Sequence, residues 1–218
     1  MKRAYEDPCG VARALDRVGE RWALLIVREL LFGAKRFVDL RACLAGVSPN
    51  VLTQRLGELE EDGVLLRRQL EPPSNAWVYE LSPRGRELEE TLLALGRWGS
   101  RAPAKPGGEL SFDAFLLALR TTFTKAADMV VELRAGRDVA QARVEDGHLE
   151  IARGAAAAPI AVLDADVATL RRLVFGDITL EAARASGALR LEGSRPAAAR
   201  FLAAFVRPRV AVQKAERS

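Results

Sequence analysis

The sequence has few of the residues from which metal and redox sites are built: one histidine, His148, and two cysteines, Cys9 and Cys43. Two cysteines form no disulfide framework, and a single histidine argues against a zinc site or a Ser–His–Asp triad. His148 follows an expected hairpin turn, so we interpret it as an exposed side chain rather than a metal ligand. The chain also has no glycine-rich phosphate loop. We therefore expect no metal, no cofactor and no enzymatic activity, although a hydrolase built from carboxylates alone stays open.

Long apolar segments are missing too. No run approaches the roughly 18 residues of a membrane-spanning helix, and the first seven residues are too charged for a signal peptide. These absences predict a cytoplasmic protein without membrane insertion. The net charge of +4 permits an anionic partner without requiring one. Residues 1–102 carry 16 basic and 15 acidic side chains, so a nucleic-acid surface there must be a local patch.

The chain length indicates two domains. The 218 residues, 49% of them hydrophobic, suit two domains of about 100 residues, each with its own core. The segment 103–108 is rich in proline and glycine and is the best boundary. It separates an N-terminal domain, 1–102, from a C-terminal domain, 109–218.

Apolar residues at helical spacing predict three helices early in the chain, at 11–18, 20–31 and 36–44. The second is apolar on nearly all sides, which is typical of a central core helix. In the first helix the residues at helical spacing are Val11, Ala14, Leu15 and Val18, and Gly19 ends it.

The next helix, 49–62, has the clearest signals. Ser48 is a capping residue, a proline follows in the first turn, and Gly63 ends the helix. Leucines at i, i+4 and i+7 form one apolar stripe. The opposite face is polar and mostly uncharged, so it can donate and accept hydrogen bonds as base edges in a DNA groove require. Its residues are Asn50, Thr53, Gln54 and Gly57, flanked by Arg55.

After Gly63 the pattern becomes that of a hairpin, with strands at 64–71 and 76–81. Two helices joined by a glycine-containing turn and followed by a hairpin indicate a winged helix-turn-helix, with the hairpin 64–81 as the wing. The wing residues expected to reach phosphates or the minor groove are Arg67, Arg68, Ser74 and Asn75. The alternative is that these arginines only solvate an edge strand.

A further helix begins at Ser82 and Pro83, and its apolar stripe is wider than one side of a small domain needs. A helix from a second copy of the chain would cover the stripe. The resulting symmetric dimer would bind a palindromic operator with half-sites about one helical turn, roughly 34 Å, apart.

Several ordered motifs between residues 5 and 101 resemble those of HxlR-type winged helix-turn-helix regulators. They lie at 9–11, 19–30, 36–40, 51–56, 59–63 and 79–85. The resemblance implies a dimeric bacterial or archaeal transcriptional regulator, often a repressor, whose Ser48 helix enters the major groove. The expected DNA-binding residues are Arg36, Ser48, Asn50, Thr53, Gln54, Arg55, Arg67, Arg68, Ser74 and Asn75.

Proteins of this type commonly have a cysteine near the start, in some cases used to sense oxidants or electrophiles, and Cys9 matches that position. Gly10 follows it where a proline is usual. Redox sensing requires a reactive and accessible thiol. The alternative, which we favour, is a buried structural cysteine. Cys43 lies beside an inward leucine and is expected to pack.

The second half of the chain predicts strands followed by helices, which indicates an α+β layer. The expected helices are 112–123, 166–175, a short one capped by 176–179, and 196–206. The expected strands are 129–135, 139–144, 148–152, 160–163 and 189–191.

The run 173–183, with 186–193 behind it, is similar to sterol-carrier-protein-like domains, in which helices pack on a five-stranded sheet around an apolar tunnel. The resemblance implies a pocket for a small apolar effector. An equally weighted alternative is a filled interior that helps the chain to dimerise. The residues that would line a pocket are Phe112, Phe115, Phe123, Phe175 and Phe201.

The expected fold is therefore mainly α with α+β: an N-terminal winged helix-turn-helix domain and a C-terminal α+β sterol-carrier-like domain. The leading functional hypothesis is a homodimeric regulator that binds double-stranded DNA, with modulation by a small apolar ligand as an open extension. The alternative is a carrier of lipid or another apolar ligand in which the winged helix mediates protein contacts.

Overall fold

The computed structural model describes residues 5–102 and 108–207. The chain divides into two compact units, Met1–Leu92 and Leu93–Ser218, each with its own β-sheet. The expected linker, 103–108, lies outside the described residues except for its last glycine.

The first unit has the element order of a winged helix-turn-helix, as predicted. Its elements are α1 (Gly10–Val18), α2 (Ala23–Leu30), α3 (Phe37–Cys43), α4 (Pro49–Glu61), β1 (Leu65–Gln69), β2 (Trp77–Leu81) and α5 (Pro83–Arg86), and α6 (Leu88–Gly99) begins in it. Gly46, in the turn between α3 and α4, has a φ of 87°, a conformation that glycine adopts without steric cost.

The core of the first unit forms around α2, but the predicted start of this helix is wrong. Trp22 has a φ of 80°, so regular helix begins only at Ala23. Ile26, Val27 and Leu30 are fully buried. Leu25 is 38% exposed, so α2 is not covered on every side.

In α1 the apolar residues at helical spacing are not all buried. Ala12 and Val18 are buried, whereas Val11 is 67% exposed and Leu15 is 43% exposed. The nine residues of α1 are therefore attached to the unit through a narrow stripe that includes Ala12 and Val18.

The wing is a two-stranded antiparallel sheet whose register pairs Leu65 with Leu81 and Gln69 with Trp77. Its strands are shorter than the predicted 64–71 and 76–81. At its base, the Ser82 hydroxyl donates to the Gly63 carbonyl over 2.6 Å and accepts from the Gly85 N–H over 3.0 Å. One side chain therefore joins the end of α4, the base of the wing and the start of α5.

The second unit contains a five-stranded sheet in the order β5-β4-β3-β6-β7, with β3 and β6 parallel and the other neighbours antiparallel. Its elements are α7 (Phe112–Thr122), β3 (Met129–Ala135), β4 (Asp138–Glu145), β5 (His148–Arg153), β6 (Ala161–Asp164), α8 (Val167–Val174), α9 (Leu180–Ala185), β7 (Arg190–Gly193) and α10 (Arg195–Leu202). The predicted α+β architecture is confirmed. His148 is exposed at the start of β5.

The last helix, α10, ends at Leu202, four residues before the predicted end. The chain that follows pairs with the residues after α7 instead. The N–H of Thr124 donates to the Ala204 carbonyl over 2.9 Å, and the N–H of Val206 donates to the Thr122 carbonyl over 3.0 Å. This pairing satisfies backbone groups that a longer helix would have satisfied internally.

A buried ion pair attaches α7 to the sheet. The Asp113 carboxylate is 1% exposed, and the Arg153 guanidinium on β5 donates to it over 2.6 and 2.7 Å. Arg153 also donates to Asp138 over 2.7 Å and lies 4.7 Å from the centre of the Phe112 ring. Three elements therefore meet at this guanidinium.

The N-cap of α8 gives a testable pH dependence. The Thr169 N–H donates to the Asp166 carboxylate over 2.6 Å, and this hydrogen bond lowers the pKa of Asp166. Because the folded-state pKa is depressed, the stabilisation is present at neutral pH and is lost as the pH falls through that pKa. We expect Asp166→Ala to cost about 1 kcal/mol at pH 7, with a smaller difference from wild type in acid. Urea unfolding at several pH values measures this.

The matched control is Asp166→Asn, because asparagine also caps helices well. It should remain close to wild type at pH 7 and lose the acid-dependent part of the stability. An alanine variant whose deficit is the same at pH 7 and in acid would contradict a role for the charged cap.

Candidate nucleic-acid interface

The helix α4 is held in place by its N-cap and by a buried leucine stripe, and these contacts define which face is exposed. The N–H of Val51 donates to the Ser48 hydroxyl over 3.3 Å, which caps the first turn. Leu52, Leu56 and Leu59 are at most 1% exposed. The cap and the apolar stripe work as predicted, and they orient the remaining side chains outward.

The outer face of α4 is polar and exposed. Asn50, Thr53 and Gln54 are all exposed, with hydrogen-bonding groups that match base edges in a major groove. The Gln54 amide donates to the Glu58 carboxylate over 2.9 Å. Gln54 must therefore exchange this partner before it can bind a base.

Arg55 differs from its neighbours. Its side chain is only 11% exposed and pairs with Glu58 in the next turn, and also with Glu20 over 3.6 Å. Two carboxylates therefore compensate the one cation on this helix. In this conformation Arg55 holds α4 to the segment before α2 and is not directed at a ligand.

Two further predicted contacts, Arg36 and Arg68, also have carboxylate partners. Arg36 donates to Asp39 over 2.8 and 3.1 Å, and the hydrogen bond to that carboxylate raises the pKa of the guanidinium. Arg68 on β1 donates to Glu80 on β2 over 2.9 Å. Both guanidinium groups are about half exposed, so a phosphate can reach them.

The guanidinium of Arg67 is supported by aromatic rings. It lies 4.6 Å from the centre of the Trp77 ring and 6.0 Å from that of Tyr79. Trp77 is 50% exposed, and the stack holds the cation at the surface of the wing. Sequence reasoning missed this role of Trp77. The signal that could have revealed it is the pairing of the two strands, which places Tyr79 opposite Arg67 on the hairpin.

The tip of the wing is formed by exposed residues, among them Ser74 and Asn75. Asn75 has a φ of 47°, a conformation that asparagine tolerates better than most residues. Its carbonyl accepts a hydrogen bond from the Gln69 amide over 3.0 Å. The side chains of the tip point away from the core of the unit, at the end of a braced hairpin.

Cys9 is exposed at the N-cap of α1, so the interpretation of this residue as a buried structural cysteine is wrong. Val11 and Leu15 turn outward on the same helix, which removes the core that would have covered the thiol. Cys43, at the end of α3, is partly buried.

The five phenylalanines proposed as a pocket lining are distributed over separate contacts in the second unit. Phe112 and Phe115 pack with ring centres 6.4 Å apart. Phe123 and Phe201 each contact Phe205, at 5.9 and 5.0 Å. Phe175 ends α8 and is partly exposed.

Within residues 5–102 and 108–207, no group of three or more His, Cys, Asp or Glu is placed to hold a metal ion. The same ranges contain no helix that is both long and apolar enough to cross a membrane.

The helix-turn-helix, the polar outer face of its second helix and the arginine-bearing hairpin directly after it define a winged helix-turn-helix protein. Residues 17–105 match the HxlR-like helix-turn-helix family. A Mycobacterium tuberculosis protein named an uncharacterized HTH-type transcriptional regulator is 39% identical over 98 residues, which cover 45% of this chain and 61% of that protein. The regulators YvaP of Bacillus subtilis and YtfH of Escherichia coli, also named uncharacterized, are 35% and 36% identical. These matches cover 40% and 43% of this chain, and 82% and 75% of those proteins.

The chain belongs to the HxlR-like helix-turn-helix family. It spans about three fifths of the length of the mycobacterial relative and about four fifths of YvaP. All three relatives match less than half of this chain, so they say nothing of most of the second unit.

Proposed function

We propose that this protein is a transcriptional regulator that binds double-stranded DNA, with α4 in the major groove and the β1–β2 wing against the backbone. The observation that supports this most directly is the exposed, hydrogen-bonding face of α4, oriented by a buried leucine stripe and followed directly by a wing with a surface arginine on an aromatic support. The family membership agrees with it.

A gel-shift experiment with the DNA upstream of the protein's own gene tests this proposal. We expect sequence-selective binding that weakens as salt rises, because arginine–phosphate contacts release counterions from DNA. Binding that is absent, or equal for the upstream region and for random DNA, would reject it.

The proposed roles differ, because α4 contacts bases and the wing contacts phosphates, and this difference gives a prediction. Gln54→Ala should relax sequence preference, because a base-edge contact contributes about 1–3 kcal/mol of discrimination. Arg68→Ala should weaken binding to all sequences and make the slope of log K against log salt shallower by about 1. Fluorescence anisotropy with specific and random duplexes at several salt concentrations measures both quantities.

The carboxylate that pairs with Arg68 provides a matched variant. Glu80→Gln releases Arg68 from its ion pair, so it should strengthen binding to every sequence. Arg190→Ala, in the second unit, removes an arginine that is 75% exposed and serves as a control for net charge. If Gln54→Ala and Arg68→Ala have equal effects on specific and random DNA, the assignment of roles is wrong.

The regulator is proposed to act as a homodimer on a palindromic operator, and as a repressor. Leu95 and Trp98 of α6 are 44% and 74% exposed, and a partner helix from a second copy would cover them. Sedimentation equilibrium of the full chain and of Trp98→Glu tests the dimer. A reporter gene driven by the bound DNA tests the sign of regulation, since loss of the protein should raise expression from a repressed promoter.

For the rest of the chain we propose the domain division 1–102, linker 103–108 and 109–218, with a sterol-carrier-like C-terminal domain that holds a small apolar effector. The supporting observation is a five-stranded sheet in the second unit whose strands contact α7 and α10. Extraction of the purified protein followed by mass spectrometry tests for an apolar ligand. A ligand found together with a failure to bind DNA would favour the carrier function instead.

Redox sensing by Cys9 is part of the proposal because the thiol is exposed. DNA binding of wild type and Cys9→Ser, before and after treatment with hydrogen peroxide, tests it. A peroxide effect that survives in Cys9→Ser would assign sensing elsewhere.

A further inference from the structure

We propose that a groove along α1 of the first unit binds a small organic anion that carries a short apolar group. Two cavities, of about 270 and 220 Å³, lie against α1 and α5. Both are lined by Ala14, Arg17 and Arg84, so they adjoin and form one groove. Its lining contains no residue of α4 and none of the strands of the wing, which makes it a site separate from the proposed DNA-binding face.

One end of the groove is basic. Arg13 and Arg17, four residues apart on α1, line the larger cavity together with Arg84 of α5. Within the described ranges none of these three guanidinium groups forms an ion pair with a carboxylate; Arg17 donates to the Arg13 carbonyl over 2.6 Å. The arginines Arg36, Arg55 and Arg68 all do form such pairs. Glu87 lines the smaller cavity and not the larger one, so the three guanidinium groups around the larger cavity attract an anion more strongly than a single surface arginine would.

The N-terminus of α1 adds to the same end. Gly10, the first residue of this helix, lines the cavity. The Asp7 carboxylate accepts the N–H of Cys9, and among the described residues no side chain caps the first turn of the helix itself. The N–H groups of that turn are therefore open to an oxyanion. Bidentate guanidinium donors and helix N–H groups are the partners that carboxylate and phosphate oxygens prefer.

The other end of the groove is apolar and determines how the ligand is oriented. The smaller cavity is lined by Val18, Val64 and Leu88, with Glu87 at its side. Glu87 repels a second anionic group there, so the head group of the ligand lies toward Arg13 and its apolar part toward Leu88. The groove formed by the two cavities lies at the lower end of the roughly 300–1,000 Å³ of drug-sized ligand sites. The ligand is therefore a short carboxylate or phosphate and not a long-chain lipid.

Titration calorimetry of the full chain with hexanoate tests this proposal at constant ionic strength. We expect saturable binding with a Kd on the order of 1 mM, the strength typical of so small a ligand. Acetate lacks the apolar group and 1-hexanol lacks the charge, so each should bind at least tenfold more weakly. Inorganic phosphate distinguishes the two head groups: competition with hexanoate indicates a phosphate-compatible site, and failure to compete restricts the site to carboxylates.

Variants localise the binding to the groove. Arg84 lines both cavities and is exposed, so Arg84→Ala should fold normally and weaken hexanoate binding at least tenfold. Ala14→Leu fills the position that the cavities share and should abolish binding. Arg41→Ala, an exposed arginine on α3, should leave it unchanged. The proposal is overturned if hexanoate binds no more tightly than acetate, or if Arg84→Ala and Arg41→Ala behave alike.

Discussion

Replacing Arg153 by methionine is expected to destabilise the second unit by about 3 kcal/mol, because it leaves the buried Asp113 carboxylate without its guanidinium partner. The value lies at the lower end for a broken buried ion pair, since Arg153 itself is 26% exposed and water can enter its place. The variant also loses the contact with Asp138 and the stack on Phe112. Urea unfolding followed by circular dichroism gives the loss. In hydrogen-exchange experiments, the amides of α7 and β5 should be the first to lose protection.

Two variants separate the buried charge from the arginine as such. Adding Asp113→Asn to Arg153→Met removes the buried negative charge and should restore at least half of the lost stability. Arg190→Met breaks an exposed pair with Glu192, so it should cost at most about 1 kcal/mol. If Arg153→Met and Arg190→Met cost the same, the ion pair at Asp113 does not hold α7 to the sheet.

Gly85→Ala is expected to destabilise the first unit by about 3 kcal/mol or more, although alanine normally favours a helix. A Cβ atom at this position would lie 2.1 Å from the carbonyl oxygen of Val64. That oxygen also accepts the N–H of Ser82 at the base of the wing. The clash is with backbone and not with a flexible side chain, so α5 must move away from the wing. Urea unfolding followed by the fluorescence of Trp22 and Trp77 measures the loss.

Gly57→Ala is the matched control, because it is the same substitution in a helix of the same unit. A Cβ at Gly57 meets no atom within 4 Å, so the gain in helix propensity should stabilise the protein by about 0.5–1 kcal/mol. Opposite signs for the two glycines are the expected result. A neutral Gly85→Ala would show that the contact between α5 and the wing is not tight.

The winged helix could be predicted because its signals are local. Ser48, Pro49 and the leucine stripe of α4 act within one helix, and hydrophobic spacing reports which face such a helix buries. The same rule failed for α1, where Val11 and Leu15 have the right spacing but face outward. Spacing shows that a helix has an apolar face, whereas the neighbouring elements decide whether anything covers that face.

The site was predicted as a set of residues but not as an arrangement of charges. Arg36, Arg55 and Arg68 all pair with carboxylates. Asp39 and Glu58 lie three residues after Arg36 and Arg55, so these two pairs could be read from sequence spacing, whereas the second partner of Arg55, Glu20, lies on a distant segment. The partner of Arg68 depends on the hairpin register, and so does the stack of Arg67 on Trp77. The groove of Arg13, Arg17 and Arg84 joins residues some seventy positions apart, which no local pattern reports.

The sequence by itself determined the order of elements, the cap and buried face of α4, the wing and the α+β character of the second half, because capping, periodicity and turn chemistry act over a few neighbouring residues. Only the tertiary structure decided that Cys9 is exposed, that Arg55 is held by Glu20, and that Arg153 joins α7 to the sheet. The physical reason is that exposure and charge compensation depend on what other segments bring to a position, and those segments are distant in the chain.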